Sequence, residues 1–330
     1  MILSRTPMRV SFMGGGTDLP SFYESHGGAV LSMSINKYFY LSMHDLFRSH
    51  GYLIKYSSVE NCLSVDEIQH KIIKQVFIDY GIKSADFASA ADIPAGTGLA
   101  SSSSFTVSLI TLCNALVGKY ESKEVIAQKA CEIEINKLKE PIGKQDQYAC
   151  ALGGMNYLEF NEDGSMNIEK IFLPENKKEK LENNLILFYL DQTRSASKIL
   201  AKQNKLSATS EQVIENLKTM KSLAKKLSID IQLDVNCVGE YLHEGWTRKK
   251  KLTNDISNKQ IDKFYDQGLE AGATGGKVLG AGGGGFLMFY APNEKHQDLK
   301  DSLPNLSSHS IKMDNSGTQI VFDDRANIKI

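Results

Sequence analysis

No stretch of this 330-residue chain approaches the ~18 unbroken apolar residues of a membrane-spanning helix. The opening residues, MILSRTPMRV, lack the apolar core of a secretion signal. Excess charge is missing as well: 38 Lys and Arg against 39 Asp and Glu leave a net charge of −1. With that balance, no nucleic-acid partner and no membrane partner are expected. The local basic runs, KKEK from Lys177 and RKKK from Arg248, read as solvated faces. Cysteines are few and never spaced C-x-x-C: Cys62, Cys113, Cys131, Cys150 and Cys237 suit buried free thiols in a reducing, cytoplasmic setting. The seven histidines form no H-E-x-x-H pattern, so zinc is not expected. Tryptophan occurs once, at Trp246, and a packing role is expected there. The remaining composition, 42% hydrophobic and 23% charged, is that of a globular protein long enough for two domains.

Strand-like and helix-like segments alternate through the first half. MRVSFM and GAVLSMSINKYFYLSMH are β-rich, VDEIQHKIIKQVFIDYG has helical spacing and stops at Gly81, and ADFASAADI reads as a strand. A helix is predicted over 122–138, with Ser122 as its N-cap and Ile126, Ala130 and Ile133 on one face. GMNYLEF and IEKIFL read as paired strands around NEDGS. The second half starts afresh with the strand-like NNLILFYLDQ, followed by predicted helices over 208–227 and 235–246 and strands at GGFLMFYAP and TQIVF. The Lys- and Asn-rich PENKKEKLENN is the predicted boundary. The expectation is an α+β protein with domains 1–180 and 181–330, as a monomer or a homodimer.

Three glycine-rich stretches stand beside these strands: FMGGGTDLP, PAGTGLASSSS and GKVLGAGGGGFLMF. The familiar nucleotide patterns do not fit. Gly276-Lys277 is followed by Val278, which rules out a Walker A loop. Leu19 stands where a dinucleotide fingerprint needs its last glycine. DIPAGTGLASSSS is polar on one side only and runs into the apolar FTVSLITLCNALVG, which reads as a helix ending at Gly118. A glycine-serine turn feeding a helix N-terminus can wrap a polyphosphate, because backbone N–H groups there lack partners and the dipole favours negative charge. The loop holds no lysine, so a metal and a basic residue from elsewhere must help neutralise a phosphoryl group in transfer.

In this order, TPMRVSFMGGGTDLP, PAGTGLASSSS and KVLGAGGGGF resemble the three motifs of the GHMP kinase superfamily, which includes galactokinase, homoserine kinase and mevalonate kinase. The middle motif, P-x-x-x-G-L-x-S-S, matches from Pro94 to Ser102, with Ala100 where glycine is common. The resemblance implies an N-terminal α+β domain, a ferredoxin-like C-terminal domain and an active site between them, with ATP and Mg²⁺ as cofactors. GGGTDLP, EIEINKLKEPIGKQDQYACALGG and LHEGWTRKKKL look like the branch that phosphorylates the anomeric hydroxyl of a heptose 7-phosphate. A small-molecule sugar phosphate is therefore the expected partner. Fucose kinase shares several of these features, and a non-catalytic nucleotide-binding sensor is the alternative from another class.

Residue by residue, the resemblance makes Asp146 the catalytic base and Arg9 a cation near the transferred phosphoryl group. It gives Pro94, Gly96, Gly98, Leu99, Ser101, Ser102 and Ser103 to ATP, and Ser102 and Glu134 to Mg²⁺. Asp18 matches an aspartate that hydrogen-bonds sugar hydroxyls, with Gly15, Gly16 and Thr17 beside it. Gly282 and Gly283 are expected to face the substrate from the second domain. Lys144 and Arg194 are the candidates for the 7-phosphate, arginine offering bidentate geometry. The adenine pocket is expected around KYSSVENCLSVDE.

Overall fold

The computed structural model describes residues 1–47, 50–191 and 196–327. Two long strands, β1 (Ile2–Met13) and β2 (Gly28–His44), pair antiparallel and are joined through α1 (Pro20–His26). Residues 6–13 of β1 are buried without alternation, because both faces of the strand are covered, and they include the polar Thr6, Arg9 and Ser11. A hairpin follows, β3 (Gly51–Lys55) and β4 (Val59–Cys62), then α2 (Lys71–Tyr80), which ends where Gly81 adopts the left-handed conformation. β5 (Ser84–Ala91) lies parallel to β3 and antiparallel to the second half of β2.

The serine-rich turn then opens α3 (Ser101–Leu116), which is apolar on nearly every side and is buried through the middle of the lobe. Ser104 and Ser108 tie it to β1, through the Thr6 carbonyl and the Ser4 hydroxyl. α4 (Lys123–Cys131) starts at the predicted cap, the Ser122 side chain accepting from the Val125 N–H. It runs on as a π-turn over Glu132–Lys137. α5 (Gln145–Leu152) precedes the hairpin of β6 (Met155–Phe160) and β7 (Met166–Ile171).

The predicted boundary PENKKEKLENN falls on α6 (Glu175–Asn184). Buried Leu181 anchors it, and the Glu182 carboxylate accepts from the Met313 N–H. Composition alone hid this helix because most of its other side chains are exposed or half-buried, Asn184 at its end being buried. The second sheet then contains β8 (Leu185–Tyr189). After it come α7 (Ala196–Thr209), α8 (Glu211–Leu233), α9 (Val238–Lys250) and α10 (Lys259–Glu270). The helix expected over 208–227 is thus two helices that break at Ser210. β9 (Gly275–Val278) and β10 (Phe286–Tyr290) form a hairpin, α11 (His296–Ser302) crosses back, and β11 (Ser307–His309) closes an antiparallel sheet of order β11-β8-β10-β9. Two strands, each followed by helical connections, around a central hairpin in this order are the ferredoxin-like arrangement.

The chain does not end in that lobe. β12 (Gln319–Asp323) pairs with β1 at the edge of the first sheet. The first lobe therefore takes strand material from both ends of the sequence, which departs from the expected division at residue 180. One core cluster joins the lobes, with Met8, Val10, Leu31 and Met33 packed together with Leu187, Met288, Leu227 and Leu242. All five cysteines are free thiols, and four are buried. Among the described residues, no helix is long and apolar enough to cross a membrane.

Candidate active site

The second and third glycine stretches meet backbone to backbone. Gly98 has φ +85°, and a Cβ there would stand 2.5 Å from the Leu279 carbonyl oxygen. A Cβ on Gly280 would stand 2.6 Å from the Cα of Gly98. Only glycine permits both the left-handed backbone and this approach. The contact is sealed by the Phe286 N–H, which donates to the Thr97 carbonyl at 3.2 Å. Ala100 also lies in the left-handed region, at φ 64°, and no side chain caps α3. The first-turn N–H groups of α3 are therefore left for an anion. Gly96, Gly98 and Ser101–Ser103 line the cavity in front of them. Pro94 and Leu99 do not. Pro94 accepts from the Thr97 hydroxyl, and Leu99 is buried with its carbonyl taking the Arg9 N–H at 3.1 Å.

Arg9 comes from β1 and Asp146 from the first turn of α5. The guanidinium is buried and donates Nε at 2.9 Å and Nη2 at 2.7 Å to the same carboxylate oxygen, Oδ1. Its Nη1 donates to the Gly98 carbonyl at 2.8 Å, which ties the pair to the phosphate loop. Gln145 Nε2 also reaches Oδ1, at 3.3 Å. Among the described residues no hydrogen bond goes to Oδ2, so one oxygen of Asp146 is free for a substrate hydroxyl. Asp18 sits beside this pair, its carboxylate taking the Gly16 N–H at 2.8 Å and the Gln145 N–H at 3.3 Å. Burial, and next the charge of Asp146, push its pKa up. Gly143 explains the P-x-G turn before α5: a Cβ there would stand 2.0 Å from Asp18 Oδ2.

Glu134 falls in the π-turn and is buried. Its carboxylate accepts from Ser102 at 3.0 Å, Ser103 at 2.9 Å and Gln147 at 2.7 Å. Burial pushes its pKa up, and these hydrogen bonds pull it back down. Gln147 Oε1 beside it is buried without a partner. Among the described residues no cluster of three or more His, Cys, Asp or Glu could hold a metal by itself. A hydroxyl, a carboxylate and a spare amide oxygen are all hard donors, and they fit a Mg²⁺ that keeps waters and phosphate oxygens as its other ligands.

Arg9, Asp18, Gln145, Asp146, Ser102 and Ser103 open on one cavity of about 440 Å³ between the lobes, whereas Glu134 and Gln147 are buried against the serines and do not line it. Gly15, Gly16 and Asp18 line it, whereas Thr17 is buried behind them, its hydroxyl donating to the Gly14 carbonyl and accepting from the Ala29 N–H. From the third stretch, Gly280 and Ala281 line the cavity; Gly282 and Gly283 pack on Ile256 instead. Lys144 faces away, its ammonium donating to the Gly164 carbonyl at 3.1 Å and resting over the Tyr23 ring. It is therefore not at hand for a substrate phosphate. Arg194 lies outside the described residues. His70 and Lys71, just beyond the stretch expected to hold adenine, do line the cavity.

Two of the lining residues that sequence reasoning missed are buried polar groups. Lys249, read as part of a solvated run, is buried, and burial and then the charge of Arg9 lower its pKa to about 8. Val238, Leu242 and Trp246 precede it on the buried face of α9, so helical spacing was the available signal. Gln203 on α7 is buried four residues after buried Ile199, and its Nε2 has no partner among the described residues.

The geometry has counterparts. GHMP kinases N terminal domain matches over residues 67–154, and GHMP kinases C terminal over residues 212–305. The chain belongs to the GHMP kinases. It is 29% identical over 320 residues to the D-glycero-alpha-D-manno-heptose 7-phosphate kinase of Campylobacter jejuni, covering 91% of this chain and 92% of that one. The solved D-glycero-D-manno-heptose 1-phosphate kinase of Bacteroides thetaiotaomicron superposes with a TM-score of 0.80 at 25% identity, over 98% of this chain and 99% of that one. The bifunctional fucokinase/GDP-fucose pyrophosphorylase of Arabidopsis thaliana is 24% identical over 94% of this chain, which spans 32% of that longer protein. This GHMP kinase is accordingly a phosphotransferase of the sugar-kinase type, with ATP as its phosphate donor.

Proposed function

We propose that this GHMP kinase moves the γ-phosphoryl group of ATP onto the anomeric hydroxyl of D-glycero-D-manno-heptose 7-phosphate. The product would be the 1,7-bisphosphate, on the way to GDP-activated heptose for bacterial surface polysaccharide. The observation that carries the chemistry is the Arg9–Asp146 pair hung on the Gly98 carbonyl, so that base and phosphate loop share one rigid frame. Likeness to heptose phosphate kinases over nearly the whole chain supports the acceptor.

Asp146 Oδ2 takes the proton of the acceptor hydroxyl as its oxygen attacks the γ-phosphorus in line. The bond to the β–γ bridging oxygen breaks and ADP leaves with that electron pair. Arg9 holds Oδ1, which fixes the carboxylate and keeps a positive charge beside the developing negative one. The first turn of α3 takes the phosphates, and Asp18 orients a sugar hydroxyl from the other side. Ser102 and Glu134 would hold Mg²⁺, which when bound neutralises charge across the phosphates.

The decisive assay is ADP release by the purified protein with Mg²⁺ and ATP, offering the heptose 7-phosphate, L-fucose or galactose. The position of the new phosphate is then read by ³¹P–¹H NMR. Turnover on the heptose phosphate with a new phosphate on C1 is expected. The fucokinase likeness supports a free sugar as the second reading, and turnover on fucose alone would install it. ATP binding without turnover on any sugar would leave a sensor.

A further inference from the structure

The phosphate loop from Pro94 to Ser104 contains neither lysine nor arginine, yet a phosphoryl group in transfer needs fixed positive charge close to it. Lys249 stands where that charge is missing. It projects from α9 into the interlobe cavity that Arg9, Asp18 and Asp146 also line. Its ammonium donates to the Gly280 carbonyl. Gly280 touches Gly98, whose own carbonyl holds Arg9 Nη1 at 2.8 Å. The two cations thus hang from the carbonyls of two loops in contact, one from each lobe.

Among the described residues no carboxylate lies within ion-pair distance of Lys249. A buried ammonium with a carbonyl as its partner is costly to keep charged, and an anionic ligand would supply the counter-charge. Four charged groups act on it: Arg9 and Lys277 disfavour its charge, Asp18 and Asp146 favour it. Lys277, on β9, donates to the Phe12 carbonyl at 3.2 Å rather than into the cavity. Arg9 is already committed to Asp146 and Gly98. Of the two lysines, Lys249 is the one that lines the cavity, and among the described residues its ammonium has a carbonyl but no carboxylate as partner.

We propose that Lys249 is a catalytic residue whose ammonium contacts the γ-phosphoryl group of ATP and shares its transition-state charge with Arg9. The proposal rests on the kinase reading above. No proton is transferred to or from Lys249 in the chemical step; it serves as a fixed charge. Because burial and Arg9 lower its pKa to about 8 in the free protein, it is partly neutral at alkaline pH, and the triphosphate must restore its proton on binding.

Two measurements test this on the full chain, with Lys249→Met and Lys249→Arg checked for folding by thermal melting. The first is steady-state kinetics from pH 6 to pH 10 on whichever sugar the wild type phosphorylates. Lys249→Met is expected to lower kcat by about 10²-fold or more with each KM within a few-fold. The alkaline limb of kcat/KM, near pH 8 in the wild type, is expected to be lost in Lys249→Arg, whose charge persists. The second is calorimetry at pH 8 in buffers of different ionisation enthalpy. Binding of the non-hydrolysable analogue AMPPNP should take up about half a proton, binding of ADP less, and Lys249→Met should abolish the difference. A Met variant that turns over within a few-fold of wild type overturns the proposal. So does an alkaline limb that survives in the Arg variant, or equal proton uptake with ADP and AMPPNP. If no sugar is turned over, the kinase reading fails. The calorimetry still decides whether Lys249 meets the γ-phosphate.

Discussion

At the scale of single residues, the site separates groups that react from groups that bind. Asp146 has one carboxylate oxygen held by Arg9 and Gln145, and among the described residues no hydrogen bond reaches the other. Changing it to Asn keeps the hydrogen-bonding oxygen toward Arg9 and removes only the basicity. The expected outcome is a kcat lower by about 10²-fold or more with ATP affinity nearly unchanged, since general-base loss acts on the chemical step. Stopped-flow turnover and nucleotide titration separate the two, and a kcat within a few-fold of wild type would remove Asp146 from the base role. Gln203 is the opposite case. Among the described residues its buried Nε2, which stands against Gly16, has no acceptor, so the fold gains nothing from that donor. Gln203→Leu should leave the melting temperature unchanged or slightly higher and raise the acceptor KM by about tenfold, the scale of one lost polar contact. An unchanged KM would show that the amide does not meet the sugar.

At the scale of elements, the Gly98–Gly280 contact decides whether loop, base and second lobe stay in register. A Cβ on Gly98 would collide with the Leu279 carbonyl and force an L-residue to φ +85°. Gly98→Ala is expected to cost about 1–3 kcal/mol in stability and to cut kcat/KM for ATP by more than tenfold, as the Arg9 anchor moves with the loop. Denaturant unfolding and initial rates read both effects; a variant with normal kcat/KM would show that the contact is dispensable. These glycines were legible because a turn of this kind admits little else. The start of α3 was legible from a polar turn meeting an apolar run, and the Ser122 cap from its position before Ile126 and Ala130. Other features were not. The π-turn that carries Glu134 leaves no mark in a pattern that reads equally well as α-helix. α6 was read only as a boundary, from its Lys- and Asn-rich composition, because few of its residues are buried. Lys249 was misread because charge was weighed above helical spacing, although the spacing from Leu242 and Trp246 puts it inside. Lys144 was chosen for nearness in sequence to Asp146, but consecutive residues at a helix start point different ways.

At the scale of the whole molecule, two lobes with separate sheets behave as one body because their strands share a core and the chain returns to where it began. β12 covers the free edge of β1, and Thr318 joins Thr6 at 2.7 Å and Thr111 at 2.8 Å in one buried hydroxyl cluster. Arg325 donates to the carbonyls of Ala115 and Leu116 at the end of α3, so the tail caps the helix whose other end faces the interlobe cavity. A fragment ending at residue 180 lacks this closure and exposes the apolar face of β1 and β2 that β8, β10, α8 and α9 cover. It is expected not to fold alone, whereas the full chain should melt in one calorimetric transition. Leu187 makes the test sharper. It sits on the second sheet, fully buried in the cluster that holds Met8, Val10 and Met33 of the first. Leu187→Ala should cost about 2–5 kcal/mol, the range for a buried leucine, and shift the whole transition down without splitting it. If the lobes were independent, the same substitution would lower one transition and leave a second, unshifted one in place. The fragment 1–180 would then give a dispersed amide spectrum of its own.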